Sequence, residues 1–158
     1  MHIHCFQTGG TIDKHYPRGT THHGYNFEIT DPAVERILEI SHISFPFTVT
    51  SLLKKDSLDI TDEDRALIVS SVSSSPRSHI LITHGTDTVL KTAEALEAAH
   101  LPKVIVLTGA MLPECFKGTD ANFNIGLAVG ALQTKEPGVY IALYGQIFTI
   151  EAFRTFSV

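Results

Sequence analysis

Two cysteines, Cys5 and Cys115, are all that this 158-residue chain carries. A chain so poor in cysteine has no disulfide framework to staple it, so both thiols are expected to be reduced and buried. Long hydrophobic runs are missing too: Val104–Leu107 and stretches like it fall far short of the roughly 20 apolar residues that span a bilayer. No membrane partner is therefore expected. The opening MHIHCFQTGG lacks the basic start and the long apolar stretch of a secretory signal, which makes the cytoplasm the expected location. Lys and Arg number 12 against 17 Asp and Glu, a net charge of -5, and no basic stripe stands out. A surface that tracks phosphates needs clustered cations, so nucleic acid is excluded as an expected partner.

What is present fits an ordinary folded domain. The chain is 43% apolar and 18% charged, and its length suits one domain, residues 1–158, with a core of normal size. Strand-like and helix-like segments alternate along it. Ile3–Phe6, Phe47–Leu53, Ile80–Thr83, Val104–Leu107 and Val139–Leu143 are apolar and partly β-branched, as buried strands are. Tyr144–Gly145 offers a tight turn into a returning strand, Ile147–Ile150.

Helices are expected between these strands. Asp31 before Pro32 reads as an N-cap for Ala33–Ile40. Thr61 or Asp62 caps a second helix reaching about Val72, with Ala66, Val69 and Ser73 together on one side. Thr88–Ala99 and Asp120–Leu132 complete the set. Continuous apolar strands alternating with helices predict an α/β three-layer sandwich with a mostly parallel central sheet.

Ligands of open parallel sheets gather beyond the carboxyl ends of the strands. Two such ends carry unusual turns. Ile3–Phe6 leads into Thr8-Gly9-Gly10-Thr11, and Ile80–Thr83 leads into His84-Gly85-Thr86-Asp87-Thr88. If the two strands are neighbours, both threonine-rich turns face one crevice. Taken alone, Thr86, Asp87 and Thr88 also suit simple helix caps, and Gly9 with Gly10 suits any sharp turn. The segment Asp13–Phe27 is polar and aperiodic, as lids and binding loops are. Its His22 and His23, with His2 and His4, lack the fixed spacing and the carboxylate partner of a metal site, so no metal is expected.

TGGTID at Thr8–Asp13 and HGTDTV at His84–Val89 resemble the two signature motifs of the bacterial-type L-asparaginases and related glutaminases, and LTGAMLP at Leu107–Pro113 resembles the family's third segment. Asp56-Ser57, Asp59-Ile60-Thr61 and Phe123-Asn124 extend the similarity. It covers almost the whole chain, but only the family's larger N-terminal domain; the smaller C-terminal domain has no counterpart here. The resemblance implies a Rossmann- or flavodoxin-like domain that hydrolyses L-asparagine to aspartate and ammonia through a threonine nucleophile, without a cofactor, in a homo-oligomer such as a dimer or tetramer.

Carried over position by position, the resemblance makes Thr11 the nucleophile and Thr86 with Asp87 the second hydroxyl and carboxylate. Ser57 would hold the substrate's α-carboxylate, Asp87 its α-amino group, and the Ala110 carbonyl the leaving amide, with Gly10 lining the pocket. A loop tyrosine pairs with the nucleophile in the family; Tyr25 is the candidate, with Tyr16 as the alternative. Two positions depart from the pattern. Leu58 stands where many members carry glutamine, and Thr155 stands where a lysine is expected. Arg154 beside it remains protonated at neutral pH and makes a poor base. This departure keeps open a second reading, an amino-acid-binding protein with little turnover.

Overall fold

The computed structural model describes residues 1–16 and 27–157. Its centre is a six-stranded sheet whose strands are β1 (Ile3–Gly9), β4 (Phe47–Lys55), β5 (His79–Thr83), β6 (Val104–Thr108), β7 (Gly138–Leu143) and β8 (Gln146–Thr149). The spatial order is β4-β1-β5-β6-β7-β8, parallel throughout except for β8, which runs back along β7. The first strand thus lies between the second and third of the parallel set, as in flavodoxin-like sheets. A two-stranded ribbon, β2 (Lys14–His15) with β3 (Glu28–Ile29), stands apart from it.

Burial follows from position in the sheet. Every residue of β6 is buried, and so is β5 beyond His79, because helices cover both faces of these central strands. The edge strand β4 keeps exposed residues at intervals along its length. On one face α1 (Ala33–Ile40) and α4 (Ala121–Thr134) pack onto Ile3, Cys5, Leu81, Val106 and Ala142. On the other, α2 (Asp62–Ser74), α3 (Val89–Ala98) and α5 (Ile150–Thr155) cover Phe6, Ile80, Ile82, Ile105 and Ile141. The α/β sandwich expected from the sequence is therefore the observed fold. Among the described residues no helix is long and apolar enough to cross a membrane.

Three local expectations are corrected. Asp31 does not cap α1: Pro32 occupies the N-cap, and the Ala33 N–H donates instead to Asp13 Oδ1 at 2.8 Å, twenty residues upstream. In α2, Thr61 is the cap, within a capping box with Asp64, but the buried stripe is Arg65, Ile68 and Val72 rather than Ala66, Val69 and Ser73. Serines on several sides of α2 blur its apolar period, so packing against the sheet decided which face turned inward. Finally, the returning strand ends at Thr149, whose hydroxyl accepts from the Ala152 N–H at 3.2 Å and starts α5. Phe153 and Phe156 of this last segment close on Phe148, with ring centroids 5.3 and 4.7 Å away.

Candidate active site

Four turns meet at the carboxyl edge of the sheet, following β4, β1, β5 and β6, which are consecutive neighbours. The crevice falls between β1 and β5, where the strand order reverses. After β1, Gly9 and Gly10 adopt φ of 109° and 87°, a region other residues rarely enter. The Gly10 N–H donates to the Lys55 carbonyl at 3.0 Å, and Thr11 opens a 3₁₀ turn over Thr11–Asp13. A side chain at Gly10 would place its Cβ 2.4 Å from the Gly85 nitrogen. Glycine is what allows the two motif turns to touch.

The turn after β5 is a 3₁₀ turn over Thr86–Thr88 that runs into α3. Thr86 is half-buried and Asp87 exposed, while among the described residues no side chain caps α3. Thr88 instead donates its hydroxyl to the Ser57 carbonyl at 2.6 Å, so the simple capping role gives way to a cross-link between turns. Ser57, 1% exposed, donates its Oγ to Asp87 Oδ2 at 3.4 Å. The same Oγ would lie 2.7 Å from a Cβ on Gly85. After β6, Ala110 is buried; its loop is tied to α4 by Asn124, which donates to the Gly109 carbonyl at 2.9 Å, and by Asp120, which accepts from the Met111 and Leu112 amides at 3.0 Å.

Thr11, Ser57, Thr86, Asp87, Ala110 and Gly10 therefore belong to four turns that interlock. Tyr25 lies outside the described residues. Tyr16 lies within them, exposed, with its ring centroid 5.1 Å from Phe27 and 6.0 Å from Phe116. Leu58 points to solvent at 72% exposure. Thr155 is exposed on α5 and spends its hydroxyl on the Ala152 carbonyl at 3.1 Å, while Arg154 pairs with Glu94 of α3 at 2.6 Å. His2 and His4 hydrogen-bond to threonine and serine hydroxyls, and His22 and His23 fall outside the described residues. The supporting pairs Thr88–Ser57 and Asp120–Met111 are not among the contacts expected from the sequence. For the second, Asp120 four residues before Asn124 on one helix face was the available signal.

Two buried ionisable groups flank the crevice. Asp13 is 1% exposed, and burial above all pushes its carboxyl up to about 7 against the hydrogen bond from Ala33. Among the described residues its Oδ2 and the Thr83 Oγ1 lack hydrogen-bond partners. Burial likewise lowers His84 to about 4, opposed by its bond to Gly85 and aided by the Arg65 charge.

These shifts act on stability in opposite senses. Asp13 holds its proton more tightly folded than unfolded, so its contribution is complete below about pH 3.8 and is lost as pH rises to about 7. His84 holds its proton less tightly when folded, so its contribution is complete above about pH 6.5 and is lost as pH falls to about 4. Between these limits the two slopes offset each other. Asp13→Asn is expected to leave the histidine slope uncovered, with stability rising by about 1.4 kcal/mol per pH unit at the steepest. Urea denaturation across the window checks it; a wild-type-to-variant difference constant with pH would sink the assignment.

The model of the asparaginase N-terminal domain matches residues 2–156. An L-asparaginase of Thermococcus kodakarensis is 32% identical over 155 residues, covering 93% of this chain and 45% of that protein. A glutamyl-tRNA(Gln) amidotransferase component of Methanococcus maripaludis is 29% identical over 147 residues, covering 91% and 35%. Among solved structures, the thermostable L-asparaginase from Thermococcus kodakarensis superimposes with a TM-score of 0.83 at 28% identity, over 95% of this chain and 46% of that one. The chain thus spans less than half the length of these relatives. A domain model matched almost from end to end and a shared three-dimensional framework lead to one conclusion: this chain belongs to the asparaginase family.

Proposed function

We propose that this domain hydrolyses the side-chain amide of L-asparagine, with Thr11 as nucleophile. The observation that supports this most is the convergence of Thr11, Ser57, Thr86 and Asp87 on interlocked turns at the switch point of the sheet. Thr11 Oγ attacks the amide carbon, and the hydroxyl proton ends on the departing nitrogen, which leaves as ammonia. Water then attacks the resulting ester, releasing aspartate and restoring the threonine. Thr86 and Asp87 orient substrate and water. Asp87 faces the α-ammonium, Ser57 the α-carboxylate, and the Ala110 carbonyl accepts from the leaving amide. Amides at the start of the two 3₁₀ turns supply the oxyanion donors, since the first N–H groups of a helical turn have no partner within it. None of these steps calls for a cofactor. Exposed Tyr16, Leu58, Met111 and Leu112 are apolar side chains that a second copy would cover, in keeping with a homo-oligomer.

The amidotransferase relatives act in amide chemistry of another kind, and Thr155 favours a second reading in which the pocket binds an amino acid with little turnover. Ammonia release by purified protein from L-asparagine, with L-glutamine in parallel, separates the readings. Release supports the hydrolase. No release, with L-aspartate still raising the melting temperature, supports the binder. If the missing lysine limits the rate, Thr155→Lys is expected to raise kcat by about 10²-fold to 10⁴-fold, the range of general acid–base contributions; an unchanged kcat would remove the lysine from the account.

A further inference from the structure

His84 follows β5, and its backbone N–H donates to the Thr108 carbonyl at 2.8 Å, extending the β5–β6 ladder by one rung. Its ring turns inward and is 1% exposed. Nδ1 lies 2.7 Å from the Gly85 carbonyl oxygen, and Nε2 lies 2.8 Å from the Thr92 hydroxyl on α3. A carbonyl can only accept, so Nδ1 carries the hydrogen. In the neutral ring Nε2 is then an acceptor, and Thr92 donates to it. Burial disfavours the charged ring, which keeps this tautomer in place at neutral pH.

The consequence lies in the next peptide unit. In a trans peptide the C=O and N–H point in opposite directions. A Gly85 carbonyl held inward by the imidazole therefore turns the Thr86 N–H outward, away from the ring. Gly10 walls the preceding peptide, His84–Gly85, from the β1 side, since its Cβ would come 2.4 Å from the Gly85 nitrogen, 2.5 Å from the Gly85 Cα and 2.9 Å from the His84 carbonyl carbon.

We propose that His84, with its tautomer set by Thr92, is a positioning residue that aims the Thr86 amide into the crevice as an oxyanion donor. The proposal rests on the hydrolase reading, and it gives His84 no proton to transfer. The ring's contact with the peptide that carries the Thr86 amide gives this buried polar side chain a use.

The test compares His84→Leu, His84→Asn and Thr92→Val in the full chain. Losing one oxyanion donor lowers kcat by about 10²-fold to 10³-fold, so His84→Leu should fall in that range with KM within a few-fold. Asn places an N–H near the position of Nδ1, so His84→Asn should recover most of the loss. Thr92→Val keeps the shape and removes the donor to Nε2, freeing the other tautomer. It should lower kcat about tenfold with the fold intact, which keeps the test open if His84→Leu does not fold. Wild-type kcat in folded Thr92→Val and His84→Leu, or a folded His84→Asn as slow as His84→Leu, would overturn the proposal. A readout independent of turnover is the nitrogen NMR spectrum of ¹⁵N-histidine-labelled protein, expected to show a proton on Nδ1 of His84. A proton on Nε2 instead overturns the positioning role, whereas a wild type inactive on every amide overturns the hydrolase reading.

Discussion

Thr11→Ala is expected to bring ammonia release from L-asparagine to background, a fall in kcat of at least about 10³-fold, since removing a nucleophile costs the covalent route altogether. The fold should survive the change. Thr11 is half-buried in a 3₁₀ turn whose closing bond, the Asp13 N–H to the Gly10 carbonyl at 3.2 Å, uses backbone alone. Truncating a half-buried side chain that closes no turn should cost about 1 kcal/mol, the centre of the range for point mutants. Steady-state assay and melting curves with L-aspartate check both halves at once. Turnover within tenfold of wild type would move the nucleophile elsewhere, with Thr86 the next hydroxyl to test. Loss of both turnover and the aspartate-induced shift would mean that Thr11 holds substrate rather than attacks it.

The second large effect is on stability. Gly10→Ala is expected to cost about 3 kcal/mol or more. A non-glycine residue held at a φ of 87° pays roughly 1–3 kcal/mol for backbone strain. Its methyl would in addition lie 2.4 and 2.5 Å from the nitrogen and Cα of Gly85, which are backbone atoms and cannot swing aside as a side-chain tip can. Either the β1 turn or the β5 turn must move, so turnover should fall together with stability. Gly126→Ala is the fitting control. Gly126 is exposed within α4, and a Cβ there meets nothing within 4 Å, so the change should stabilise by roughly 0.5–1 kcal/mol. Urea denaturation of the two variants should show opposite shifts in midpoint. A Gly10→Ala midpoint equal to wild type would mean that the close approach of the two turns does not constrain them.

Much of this architecture is legible along the chain because it depends on short-range rules. Apolar, β-branched runs such as Ile80–Thr83 and Val104–Leu107 make strands wherever helices cover both faces, and paired glycines at Gly9 and Gly10 announce a turn that other residues resist. The two threonine-rich motifs, their order and their placement at strand ends are equally local features. Even the departure at Thr155 is a matter of sequence alone.

Partnerships across the chain are another matter. The sequence leaves open whether β1 and β5 are neighbours; the sheet order makes them so, and with that the Thr11 and Thr86 turns share a crevice. It suggests Asp31 as the cap of α1, yet the carboxylate that reaches Ala33 comes from Asp13, because the ribbon β2–β3 folds the chain back and buries Asp13 beside the helix start. The inward face of α2, the bond from Thr88 to Ser57 across 31 residues and the clasp of His84 by Thr92 have no periodicity to announce them. Propensity and spacing act over a turn or two of chain and so determine which elements form and where they end. Which donor meets which acceptor depends on how the sheet is ordered and how each helix packs against it, so the working geometry of the crevice is decided only in three dimensions.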